Sequence, residues 1–147
     1  MLLANKTDRR PGATAVEMAV VIAIVALFIF GILEYCLIVY VHQVTENAAR
    51  EGARYAIVNS TDPNLVANTQ NVVKSFLGGL DSKMKNYSCT VYLADNNGNN
   101  IGAATNAKFG EFVCVDVSVD YVPISPGLTF LSTFSIRHKC GMGSEAN

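Results

Sequence analysis

RRPGATAVEMAVVIAIVALFIFGILEYC, residues 9–36, joins two arginines and a Pro-Gly pair to a long apolar run with a glutamate at each end. Residues 18–33 carry no charge, and Tyr35–Val41 continue the apolar character. As a helix, Met18–Val41 would extend ~36 Å, and crossing a hydrocarbon core takes ~30 Å. No proline interrupts the run. The stretch therefore predicts a membrane-crossing helix, and the rest of the chain must be built around it.

The preceding residues Asn5-Lys6-Thr7-Asp8-Arg9-Arg10 are short and basic, like the first part of an export signal. The positive-inside rule keeps that end cytoplasmic and sends the chain beyond Val41 outward. No small-x-small cleavage site follows the apolar core. Glu34 and Tyr35, just before Cys36, are too large for a lipoprotein signal, so Cys36 is rejected as a lipidation site. The two glutamates, Glu17 and Glu34, would lie about 25 Å apart along the helix, close to one bilayer core. Each can therefore be an interface carboxylate that snorkels to water. The residues alone leave that reading of Glu34 open beside a functional one.

The chain has 147 residues, net charge −1 and 50% hydrophobic residues, and the hydrophobic excess is concentrated in the run. It lacks a basic patch beyond the N-terminus, which argues against nucleic acid as a partner. G-x-S-x-G, H-E-x-x-H and glycine-rich phosphate loops are absent. His42 and His138 have no partner that spacing can assign, so no metal, cofactor, catalytic residue or small-molecule substrate is expected. Asp95–Asn100 suggests a calcium loop, but Asn100 and Asn106 stand where an EF-hand needs glycine and glutamate. It reads instead as a polar turn. Asp116 and Asp120 would be ~13 Å apart along one strand face, too far for a paired carboxylate site.

The apolar helix should continue as an extended spine to about Asn59. Glu46–Arg50 and Glu51–Arg54 have helical spacing, and Ala48, Ala49, Gly52, Ala53 and Ala56 form a seam of small residues. Such a seam admits another backbone closely, either the chain's own sheet or, on the opposite face, another subunit. Thr61-Asp62-Pro63 marks a break, with Asp62 or Thr61 able to cap a second helix near Pro63. Leu65, Val66, Val72, Val73, Phe76 and Leu77 give that helix an apolar side, and Gly78-Gly79 ends it.

Period-two patterning follows. Tyr87, Cys89, Val91 and Leu93 share one face, as do Val113, Val115, Val117, Val119 and Tyr121. Phe130, Phe134 and Ile136 share a third, after a turn at Pro123 and Pro126-Gly127. The expected fold is α+β: the long helix packed on an antiparallel sheet of at least three strands. Face parity favours Cys89–Cys140 if a disulfide forms, but reduced buried thiols and other pairings remain open.

Pro11-Gly12-Ala13-Thr14-Ala15-Val16-Glu17 resembles the processing site of type IV prepilins, in which a peptidase cuts after a glycine and a glutamate stands five residues on. "GATAVEMA", "FGILEYC" and "VTENAAREGARYA" are similar to the TadE family of pseudopilins from tight-adherence pilus and secretion systems. The likeness covers about residues 9–58, and the tail from Val115 follows the family only in pattern. Two departures stand out: Met18 follows Glu17 where an aromatic is usual, and the run lacks an internal proline.

The resemblance implies a pilin-like architecture and a cut between Gly12 and Ala13. It implies that Glu17 pairs with the N-terminal amine of a neighbouring subunit. The divisions it implies are a leader at 1–12, a transmembrane helix at 13–41, its extramembrane continuation at 42–59 and an extracytoplasmic head at 60–147. The implied partners are a prepilin peptidase, other pilin-like subunits, assembly proteins of the tad machinery and membrane lipid. The implied location is a bacterial inner or cell membrane, crossed once. The rivals are an uncleaved signal-anchored binding protein and a membrane-tethered enzyme with an unrecognised site.

Overall fold

A run of alanine, leucine, isoleucine, valine and phenylalanine without proline or paired polar breaks propagates as helix once nucleated. In the computed structural model, which describes residues 11–124 and 133–144, the first helix α1 spans Pro11–Val58. Its 48 residues correspond to about 72 Å. The expected leader residues 1–10, the Pro126-Gly127 turn and Phe130 lie outside the described residues.

α1 has two halves with different surroundings. From Thr14 to Leu33 nearly every large apolar side chain is exposed, Leu27 to 70% and Phe28 to 65%. From Glu34 onward one face is buried at Glu34, Val41, Thr45, Ala48, Ala49, Ala53 and Ala56. That spacing of three, four and seven is the helical period, and it marks the face turned to the head. Beside that buried face lie Glu46–Arg50 at 2.5 Å and Glu51–Arg54 at 3.3 Å, the two pairs expected from spacing.

α1 ends as Asn59 folds its side-chain amide back onto the Tyr55 carbonyl at 2.9 Å. Asp62 then holds the turn: its carboxylate accepts the Asn64 N–H at 2.8 Å and the Asn68 amide at 2.7 Å. The second helix α2, Leu65–Leu77, starts two residues later than expected, after Asn64 and without a side-chain cap. It buries Leu65, Thr69, Val73 and Leu77, while Phe76, expected inside, is exposed. Gly78 adopts the left-handed conformation (φ 60°) that closes the helix. A single turn, α3 (Leu80–Lys83), leads into the sheet.

The sheet has four antiparallel strands: β1 (Lys85–Ala94), β2 (Asn100–Ala103), β3 (Phe112–Tyr121) and β4 (Phe134–Gly143), in the order β2-β1-β3-β4. Sequence patterning missed β2, which is short and exposed along its length. Val113, Val115, Val117, Val119 and Tyr121 of β3 are all buried. They meet α1 and α2 in three adjoining clusters, with Ala48, Ala53 and Val73 in the middle one and Val41 with Tyr121 in another. The molecule is thus α+β, with a long helix laid across an antiparallel sheet.

Candidate functional site

The first candidate region is the tip of α1. Gly12 is exposed, and a side chain built on it would meet nothing within 4 Å. Glu17 projects from the same bare stretch and is exposed. Ala13 continues the helix between them. Nothing else among the described residues covers this end.

Glu34 behaves differently. An interface carboxylate reaching for water is one of the two readings open from the sequence, yet Glu34 is only 3% exposed. Its Oε1 accepts a hydrogen bond from the Tyr121 hydroxyl and another from the Ile124 backbone N–H at 3.1 Å. The physical reason is topology. β3 runs back down α1, so its last residue and the following segment descend over the helix at residue 34. A carboxylate that would otherwise seek water finds two donors from the chain itself. Burial, and then the bond to Glu34, push the Tyr121 phenol above its ordinary pKa, so it stays a donor.

The small-residue seam is consumed internally. Ala48, Ala49 and Ala53 lie in the core with Val73, Leu77, Val115 and Val117. Gly52 is tightest, since a Cβ there would stand 2.5 Å from the Val73 Cγ2 methyl and 3.4 Å from Val115 Cγ1. Of the two uses anticipated for this seam, packing on the chain's own sheet and on α2 is the one observed.

The cysteines are free. Cys89 and Cys140 share the α1-facing side of the sheet, as parity suggested, but β3 lies between β1 and β4. Val117 pairs with Cys89, and Val115 pairs with Cys140. Two strand spacings amount to about 10 Å, beyond the reach of a disulfide. The Cys89–Cys140 pairing that parity favours, should a disulfide form, is therefore not made here: the two are separate thiols, both pushed up in pKa by burial. Thiol titration of the unfolded, unreduced monomer should count all four cysteines; a count of two would place a disulfide.

On the outer face of the sheet Asp116 and Asp120 find separate partners. Asp116 is buried and forks onto Arg137, whose Nε lies 2.8 Å from Oδ1. Asp120 accepts the Asn86 amide at 2.6 Å. A groove of about 500 Å³ nearby is lined by the Asp95–Asn99 turn, Phe112, Cys114 and Lys139. The Asp95 carboxylate is occupied by the N–H groups of Asn97 and Asn99, each at 2.8 Å. Hydrogen bonds from Asn99 hold its pKa below the usual range. It serves the β1–β2 turn, as the polar-turn reading expected.

One grouping had no sequence signal. His42 and Glu46 stand four apart on α1, and His138 comes from β4 in register with Val117. The two imidazoles meet edge to face with centroids 4.2 Å apart. Only the strand pairing brings them together. Burial, then the positive field of His42, lower the His138 pKa.

No curated protein and no solved structure matches the chain. A family model described as TadE-like protein matches residues 12–54. That range holds the exposed Gly12–Glu17 tip, the bare apolar stretch, Glu34 and the Ala48–Ala53 seam on one helix. Over that helix the chain is similar to the TadE-like family, which is associated with the pilus of the tad locus, and its apolar stretch is long enough to cross a membrane.

Proposed function

We propose that this chain is a minor pseudopilin of a tight-adherence pilus or type II-like secretion system, cut by a prepilin peptidase after Gly12. The observation that carries this reading is the bare end of α1: an exposed Gly12 and, five residues on, an exposed Glu17 at the start of an uncovered apolar helix. Cleavage would leave an ammonium on Ala13. Opposite unit charges ~4 Å apart attract by about 4 kcal/mol at an effective dielectric of 20. Within a membrane neither charge is well solvated, so a glutamate of one subunit and the new amine of the next offset part of each other's burial cost. Glu17 then acts as a register peg, because subunits docked out of step leave charges unpaired.

The membrane boundary follows from the same helix. Head packing starts at Glu34 and not at His42. We place the embedded segment at about residues 13–33, shorter than the 13–41 that the resemblance implies; Thr14–Leu33 alone gives ~30 Å of helix. The basic residues before it keep the N-terminus cytoplasmic, and the α+β head sits outside. Partners are the peptidase, other pilin-like subunits, assembly proteins and lipid. The role is one of assembly, not catalysis.

Intact mass after co-expression with a prepilin peptidase tests the cut. The expected N-terminus is Ala13. A chain still beginning at Met1 or Leu2, with the peptidase active on another substrate in the same cells, overturns the reading in favour of an uncleaved signal anchor. Glu17→Ala should still insert and be cut, yet lose co-assembly with partner pilins by at least about tenfold, the ratio set by 1.4 kcal/mol of lost pairing. Unchanged co-assembly would leave the peg without support.

A further inference from the structure

We infer that His42, Glu46 and His138 form a binding site for a first-row divalent metal ion, with Zn²⁺ the best-suited occupant. One ring nitrogen from each histidine and one Glu46 carboxylate oxygen all lie within 4.8 Å of one another. The donor set is two imidazoles and a carboxylate, which suits Zn²⁺ and its neighbours more than Ca²⁺ or Mg²⁺. A tetrahedral ion with bonds of ~2.1 Å wants its donors about 3.4 Å apart. Small side-chain rotations close that gap, because His42 is exposed and Glu46 only partly covered.

The scaffold is suited to hold such an ion. His42 and Glu46 sit one helical turn apart on α1. His138 is fixed from the other side by a strand that pairs along its whole length with β3. The His138 Nε2 atom is buried and has no hydrogen-bond partner among the described residues. A buried polar atom without a partner is costly and uncommon in folded proteins. Beside the cluster lies a cavity of about 320 Å³, lined by Glu46, Arg50, His138, Lys139 and Cys140 among others. It leaves room for a water at the fourth coordination position.

Arg50 is the competitor. Its guanidinium holds Glu46 Oε1 at 2.5 Å, while the other carboxylate oxygen has no partner in that pair. Arg50 is largely exposed and can swing away. An ion here would fasten the spine to β4, an edge strand of the sheet, adding to the packing of Ile136 on Val41 and of the two rings edge to face. The site stands whether or not the chain is cut at Gly12.

The test is metal titration of the untagged full chain in detergent micelles, with Zn²⁺ followed by calorimetry and Co²⁺ by its visible d–d absorption. One equivalent should bind, and the thermal midpoint of the head should rise. His42→Ala and Glu46→Gln should each weaken binding by more than about tenfold, as loss of a ligand requires. His42 is exposed, so its variant keeps the fold, and far-ultraviolet circular dichroism checks that. Arg50→Gln should tighten binding several-fold, which a purely structural role for the cluster does not predict. No binding at micromolar Zn²⁺ overturns the inference. So does binding of equal strength in His42→Ala, particularly with the near-ultraviolet charge-transfer band of a thiolate, which would assign the ion to cysteines.

Discussion

Glu34→Ala should release the lower end of the head from the spine. The substitution leaves the Tyr121 hydroxyl and the Ile124 N–H without their acceptor, in a place where Tyr121 is 1% exposed. A buried donor deprived of its partner costs about 1–3 kcal/mol, and bonds to a charged acceptor stand at the upper end. Two such donors plus the cavity left by the side chain put the loss at roughly 3–5 kcal/mol. Most small domains have only ~5–15 kcal/mol to lose. Glu34→Gln keeps one acceptor oxygen and should cost less, about 1–2 kcal/mol, as should Tyr121→Phe. The check is thermal unfolding followed by the near-ultraviolet signal of the tyrosines, since the chain has no Trp and six Tyr. Combining Glu34→Gln with Tyr121→Phe should cost less than the sum of the two, because both act on one bond. Full additivity, or a stable Glu34→Ala protein, would mean that the buried contact contributes little.

Gly52→Val should be as damaging for a steric reason. Even a lone Cβ at residue 52 falls 2.5 Å from Val73 Cγ2. Val73 is fully buried and stiff at χ1, so it cannot turn aside cheaply. Its neighbours Val115 and Thr69 close the other directions at 3.4 and 3.6 Å. Alanine in place of glycine would ordinarily stabilise a helix by up to ~1 kcal/mol. Here overpacking of about 1–3 kcal/mol exceeds that gain, so Gly52→Ala should be neutral to destabilising. Valine adds two methyls and should separate α1 from α2, with several kcal/mol lost. Gly31 is the control, because a Cβ added there would meet nothing within 4 Å: Gly31→Ala should leave the head unchanged. The denaturation midpoint of each variant measures the difference. A Gly52→Val protein as stable as its parent would mean that α1 and α2 are less closely packed than the Val73 contact indicates.

What the sequence made legible follows from range. The helix to Val58, the pairs Glu46–Arg50 and Glu51–Arg54, the end of α2 at Gly78 and the alternation of β3 are all local patterns. Each was readable because one residue's role is fixed by its neighbours within a turn or a pleat. β2 was not readable, for Asn100–Ala103 is too short and too exposed to carry alternation. The partners of Glu34 were hidden because Tyr121 and Ile124 lie far along the chain, and only the descent of β3 along α1 brings them back. The same holds for His138, which reaches His42 and Glu46 through its pairing with β3. Face parity placed Cys89 and Cys140 correctly on one side of the sheet, but parity carries no information on strand order. Strand order puts β3 between them.

The bond from Tyr121 to Glu34 also sets an order of events during synthesis. Glu34 leaves the ribosome 87 residues before Tyr121 does. At 5–20 residues per second, that interval is roughly 4–17 s. On the proposed topology the carboxylate would stand through that interval at the end of an inserted apolar helix, with Tyr121 and Ile124 not yet delivered and water at the membrane surface in their place. The acceptor is then handed from solvent to the chain as the final strands arrive. On that topology, reaching toward water and being sealed by Tyr121 would be successive states of one side chain, and closure of the head would be timed by export of its last third.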